Sequence, residues 1–143
     1  MKTVSFTIPG EPVAKARPRV GKFGTYTPKK TANYENLVKL FFVQAKCPKL
    51  EGELHMCIKA YFTIPKSKSK KMQDEMRNEK IHPTKKPDLS NIIKIVEDAL
   101  NKEAYDDDSQ IIETSAKKYY SDFPRVEVEI RSLSAPNDGE NSP

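Results

Sequence analysis

The sequence predicts one α+β domain, a mixed β-sheet with helices packed on it in the order β-α-β-(α)-α-β-β. Three observations carry that expectation. Hydrophobic spacing switches along the chain between the two-residue period of a strand and the three-to-four-residue period of a helix. The 143 residues suffice for one hydrophobic core and not for two. No repeat recurs at solenoid spacing, and neither GxxxxGKS nor GxGxxG is present, which removes support for a phosphate-loop fold and for a nucleotide cofactor.

Each element has its own signal. Val4, Phe6 and Ile8 alternate with Thr3, Ser5 and Thr7, a half-buried strand that Pro9-Gly10 ends. Residues 11–30 carry three prolines, two glycines and six Lys or Arg, the composition of a basic loop. Thr31 opens a helix in which Tyr34, Leu37, Val38, Phe41, Phe42 and Ala45 share one face until Pro48. Residues 53–64 alternate strictly and form a long strand with one apolar face. The polar run 66–80 has only Met72 and Met76 at helical spacing, so it reads as a short exposed helix or a loose arm. Leu89, Ile92, Ile93, Val96, Ala99 and Leu100 then trace a buried helix that begins at Asp88. Two closing strands fall at about 110–119 and 125–131, joined by a turn at 121–124. The folded domain is therefore expected over 1–131, and 132–143, rich in Ser, Asn, Pro and Asp, is expected to be a disordered tail.

Composition narrows the function classes. No apolar run approaches the ~18 residues of a membrane span, and TVSFTI after Lys2 lacks the pattern of a secretory signal, so a cytoplasmic protein is expected. Cys47 and Cys57 stand in no CxxC and beside no His, which argues against a disulfide scaffold or a cysteine zinc site and reads as two reduced core thiols. The charge is divided unequally: residues 1–86 hold 19 basic against 7 acidic side chains, a net +12, whereas residues 87–143 hold 6 against 13, a net −7. One domain must fold these halves together, placing carboxylates beside a positive surface suited to a polyanion.

The acids concentrate at two chain corners, Asp88 at the start of the second buried helix and Asp106-Asp107-Asp108 where the next strand begins. Carboxylates from two corners can meet, and oxygen ligands of this kind suit Mg²⁺, which takes one or two of them with water and a substrate phosphate. His55 and His82 lack metal-ligand spacing. Each acid also has a plainer reading: Asp88 fits a helix N-cap, and the Asp triplet fits a solvated turn. Lys94 projects from the same polar face as Asn91, where a lysine is ordinarily just solvated.

Together these residues form a longer pattern. Asp88, Asn91, Lys94, Asp98-Ala99-Leu100, Tyr105 and Asp107-Asp108-Ser109-Gln110-Ile111 fall in order on the motif of the RusA family of Holliday junction resolvases, phage-associated endonucleases, which this stretch resembles. FTIPGEPVAKARPRV, followed by Gly24, Tyr26, Thr27 and Pro28, is similar to that family's strand and basic R-P-R loop, so the resemblance spans about residues 3–131. It implies a Mg²⁺-dependent endonuclease, with Mn²⁺ as substitute, that cuts four-way DNA junctions in recombination and repair. By resemblance, Asp88, Lys94 and Asp108 are catalytic, with Asp88 and Asp108 as metal ligands and Asp107 as a further one. Lys15, Arg17, Arg19, Lys22, Lys29, Lys30, Lys85 and Lys86 would contact DNA phosphates. Paired nicks on opposing strands call for a homodimer, since one chain carries one site; spare apolar residues of the 53–64 strand and Tyr119-Tyr120 are candidates for its interface. One position departs from the motif. Ser90 stands where the family has a second aspartate, and its hydroxyl can touch a metal but brings no negative charge to anchor it. The alternative function is therefore a branched-DNA-binding protein of the same fold with impaired catalysis.

Overall fold

A computed structural model describes residues 2–133 apart from Arg17, Pro18 and Thr27, with the backbone alone for Arg19 and Tyr26. Its strands are β1 (Thr3–Pro9), β2 (Arg19–Gly21), β3 (Gly24–Tyr26), β4 (Leu54–Thr63), β5 (Ile111–Ser121) and β6 (Arg125–Ser132). The helices are α1 (Lys29–Gln44), α2 (Lys70–Arg77) and α3 (Leu89–Leu100). A four-stranded sheet takes the order β1-β6-β4-β5. β6 is antiparallel to both β1 and β4, whereas β4 and β5 run parallel, so the 121–124 turn carries the chain past β4 and does not join neighbouring strands. A parallel pair needs a long crossover, and α2 and α3 occupy it. The expected α+β class and mixed sheet are what the chain adopts.

The two-residue strand period decides which side chains form the core. Val4, Phe6 and Ile8 of β1, Met56, Ile58, Ala60 and Phe62 of β4, and Val126, Val128 and Ile130 of β6 all point to one buried face. Tyr34, Val38 and Phe42 of α1 and Ile92, Ile95, Val96, Ala99 and Leu100 of α3 complete the same core. The apolar side chains Leu54, Met56, Ile58, Ala60 and Phe62 of β4 are thus buried in this core with those of the helices and are not spare for a subunit contact. Cys47 and Cys57 are free thiols, both half-buried and neither in the core: Cys47 packs against its edge, and Cys57 lies on the other face of the sheet with Lys59 and Glu127.

Three expectations change in detail. The segment 11–30 contains a hairpin, with Val20 paired to Thr25 and Gly21 to Gly24; Gly24, at φ 117°, takes a backbone conformation that other residues resist. The run 66–80 forms α2, capped by Ser69 Oγ accepting from Met72 N at 3.2 Å and anchored by buried Met76. Arg77 fixes α2 to the β5–β6 turn through Asp122 at 2.7 Å. Finally, the fold continues past residue 131: Ser132 N donates to Lys2 O and Leu133 N to Glu53 O, both at 2.8 Å. The rest of the expected tail, 134–143, lies outside the described residues. Among those residues no helix is long and apolar enough to cross a membrane.

Candidate active site

The site is built around α3. Its apolar stripe is buried, so Ser90, Asn91, Lys94, Glu97, Asp98 and Asn101 fall on the opposite side at helical spacing. Asp88 stands at the N-cap position. Its backbone carbonyl accepts from Asn91 N and Ile92 N, both at 3.1 Å, but its carboxylate makes no cap hydrogen bond. The cap reading of this acid therefore does not account for its side chain, which is exposed. Asp88 and Asn91 line an open depression of about 480 Å³ whose wall includes Ala14, Ala16, Lys30 and Lys86.

The basic segment is fastened at the edge of this depression. Lys15 N donates to Asn91 O at 3.1 Å and Ala16 N to the buried Thr31 hydroxyl at 3.2 Å, so the segment bridges the first turns of α1 and α3. The Lys15 ammonium is itself engaged, lying 2.7 Å from Glu35 and 3.1 Å from Asp98, and Asp98 also pairs with Lys94 at 3.4 Å. Burial acts to lower the Lys15 pKa, but hydrogen bonds to Glu35 and Asp98 outweigh it and hold it above its ordinary value. Lys15, expected to contact phosphate, thus serves as a brace between the segment and both helices.

At the other end of α3 the three aspartates divide their work. Asp106 pairs with Lys49 at 2.7 Å, and that hydrogen bond holds its carboxyl below the usual range. Asp107 accepts from Ser109 N at 3.0 Å, while Gln110 Oε1 accepts from Asp106 N and Asp107 N at 2.9 and 3.0 Å. This is a capping box on the short 3₁₀ turn Asp108–Gln110, and Gln110 Nε2 extends it to Gly52 O at 3.1 Å. Hydrogen bonding from Ser109 keeps the Asp107 carboxyl low as well. Asp108 is different: its backbone N–H donates to Asn101 Oδ1 at 3.1 Å. Among the described residues no side chain or N–H engages the Asp108 or Asp88 carboxylate. Burial first, and then the charge of Asp108, push the neighbouring Glu97 carboxyl up. Tyr105, fully buried, donates its hydroxyl to Glu97 O at 2.9 Å and pins this corner to the last turns of α3.

The two corners stand at opposite ends of α3, Asp88 at its N-cap and Asp108 bound to Asn101 at its C-cap. The twelve residues of α3 separate Asp88 from Asn101, about 20 Å along the axis at 1.5 Å per residue. Two carboxylates sharing one Mg²⁺ must each come within about 2.1 Å of it. Among the described residues no three His, Cys, Asp or Glu side chains form a group able to hold a metal ion, whereas Mg²⁺ takes only one or two carboxylates.

The remaining basic residues are spread over the surface. Lys22 lies 5.9 Å from the Phe23 ring at the hairpin turn, and Lys29 is exposed at the start of α1. Lys85 sits 5.9 Å from the Phe62 ring, and its carbonyl accepts from Lys118 Nζ at 2.6 Å. Arg17 and the Arg19 side chain lie outside the described residues. His82 meets Lys118 O at 2.8 Å, and His55 meets Ser115 and Arg131.

A family model described as endodeoxyribonuclease RusA matches residues 9–131. The chain belongs to the RusA endodeoxyribonuclease family. It is also similar to an uncharacterized protein, YqaN, of Bacillus subtilis (strain 168), at 40% identity over 142 residues, covering 94% of this chain and all of that one. The structure adds residues that sequence reasoning passed over, namely Glu97 and Asn101 within the RusA motif and Glu35 on α1. Ser90, Lys94, Glu97 and Asn101 recur at intervals of four, three and four, a polar helical stripe visible in the sequence once the helix is placed.

Proposed function

We propose that this RusA-family protein is a homodimeric, Mg²⁺-dependent resolvase of four-way DNA junctions, working in the cytoplasm in recombination and repair. The observation that carries this reading is the unused Asp88 carboxylate at the rim of a depression walled by Lys30 and Lys86. A carboxylate left exposed among lysines, contributing nothing to its own helix cap, is a side chain available to a cation and to the phosphate that cation accompanies.

The donors fit a hard divalent ion. Asp88 and Asp108 are oxygen donors, Ser90 stands two residues from Asp88, and Asp107 is a weaker candidate because its carboxylate is committed to a cap. When bound, Mg²⁺ supplies charge stabilisation and an activated water for in-line phosphodiester hydrolysis. The chain's own groups do the rest. Lys94, about half-exposed, neutralises charge on the scissile phosphate; Lys22, Lys29, Lys30, Lys85 and Lys86, with Arg17 and Arg19, hold flanking phosphates and fix register without reading sequence. Because α3 keeps Asp88 and Asp108 at opposite ends, a site containing both requires two protomers, Asp88 of one meeting Asp108 of the other. Two-fold symmetry then yields two equal sites, matching the paired nicks that a four-way junction needs.

Ser90 favours a second reading, a branched-DNA-binding protein that retains the fold and has lost nuclease activity. A labelled four-way junction incubated with the protein in Mg²⁺ or Mn²⁺, beside a chelated control, separates the two. Symmetric nicks that vanish on chelation support the resolvase; binding without nicks in either metal leaves the second reading; absence of junction binding overturns both.

A further inference from the structure

The hairpin that the sequence concealed ends in an exposed aromatic. β2 and β3 are joined by the two-residue turn Lys22-Phe23, and Phe23 is 97% exposed, the most exposed large apolar side chain among the described residues. Val20, on the same hairpin, is 84% exposed. Among the described elements the two strands pack chiefly on each other, and a two-stranded hairpin of this length is marginal in water without a surface to rest on. Among the described residues, the ring contact found at Phe23 is the Lys22 ammonium, 5.9 Å from the ring centroid.

The charge around the turn says what kind of surface that is. Lys22 precedes the ring, and Lys29 and Lys30 follow the hairpin at the start of α1, where Lys30 lines the depression holding Asp88. Phe123, the other strongly exposed phenylalanine, sits beside Asp122 instead. An apolar protein partner would be met by a wider apolar rim, whereas an aromatic tip among lysines fits a partner that carries phosphates outside and flat apolar rings inside. We propose that Phe23 is a stacking wedge that enters the centre of a DNA junction, where continuous base stacking is broken, while Lys22, Lys29 and Lys30 hold the surrounding phosphates. The proposal rests on the junction-binding reading above and adds to it a side chain that recognises the branch itself. Aromatic side chains stack on any base face, so the wedge selects a DNA shape and not a sequence. In an intact duplex every step is stacked, and insertion costs the unstacking that a branch point has already undergone.

The test uses the full chain and a four-way junction with 2-aminopurine at the exchange point, in Ca²⁺ or chelator so that no cutting occurs. Wild-type protein should change the 2-aminopurine fluorescence on binding. Phe23→Ala should lose that change and bind the junction on the order of ten-fold more weakly, with duplex affinity, salt dependence and oligomeric state unaltered. Phe23→Trp should retain both the signal and the affinity. The wedge is overturned if Phe23→Ala binds the junction as wild type does, if it weakens duplex and junction equally, or if it changes the oligomeric state, which would make a second copy the occupant. Failure of the wild-type protein to prefer a junction over duplex would instead remove the functional reading, and the wedge with it.

Discussion

Ser90 occupies the second position of α3, exposed, in a first turn that contains no acidic residue. The helix dipole favours negative charge there, and Asp88 with its unused carboxylate is two residues away. Ser90→Asp should therefore leave the fold intact and add about 0.5 kcal/mol at most to stability, while bringing a second anionic ligand to a place already suited to a cation. The expected result is a higher nicking rate on a four-way junction, with the gain largest at limiting Mg²⁺. Equal rates for both proteins across the metal titration would show that charge at position 90 does not limit the reaction. The neighbouring aspartates show that residue type alone does not assign a role. Asp106 is an ion-pair partner, Asp107 a cap, and only Asp108 keeps a disengaged carboxylate.

Between residues and fold lies the corner where α3 meets β5. Tyr105 is buried in the core, with its hydroxyl donating to Glu97 O. Tyr105→Phe keeps the ring and removes the donor, so it should cost about 1 kcal/mol, read as a lower midpoint in urea unfolding with unchanged slope. A loss of more than about 3 kcal/mol would mean that the ring's packing had changed too. What the sequence disclosed follows from period and length. β1, α1, β4 and α3 each carry several apolar residues at one spacing, and all four were legible. β2 and β3 have three residues each, too few to show a period, and their glycines read as loop. α2 is polar nearly all round; its place depends on Met76 reaching the interior and on Arg77 reaching Asp122, contacts that no local pattern announces. The motif 88–111 pointed to this region, and the helix between its two corners is a spacer whose length the sequence already contained. The engagement of Lys15 by Glu35 and Asp98 was illegible for another reason: it depends on which loop lies across which helices.

For the whole molecule, the proposal that follows from that spacer is a site that one chain cannot complete. Asp88→Asn and Asp108→Asn should each abolish nicking, since every site in either homodimer lacks one ligand, and both should bind junctions as well as wild type or better, having lost negative charge near phosphates. The two inactive proteins are then co-expressed so that protomers exchange. If each site draws Asp88 from one protomer and Asp108 from its partner, a mixed dimer holds one site with both substitutions and one with neither. Random pairing makes half of the dimers mixed, so the mixture should recover about a quarter of the wild-type nicking rate. The products should be singly nicked junctions and not resolved duplexes, because the second site of each mixed dimer is dead. If both aspartates of a site instead came from one chain, every site in every dimer would remain defective and the mixture would stay inactive. Recovery of nicking without recovery of resolution is the result that only a shared site produces.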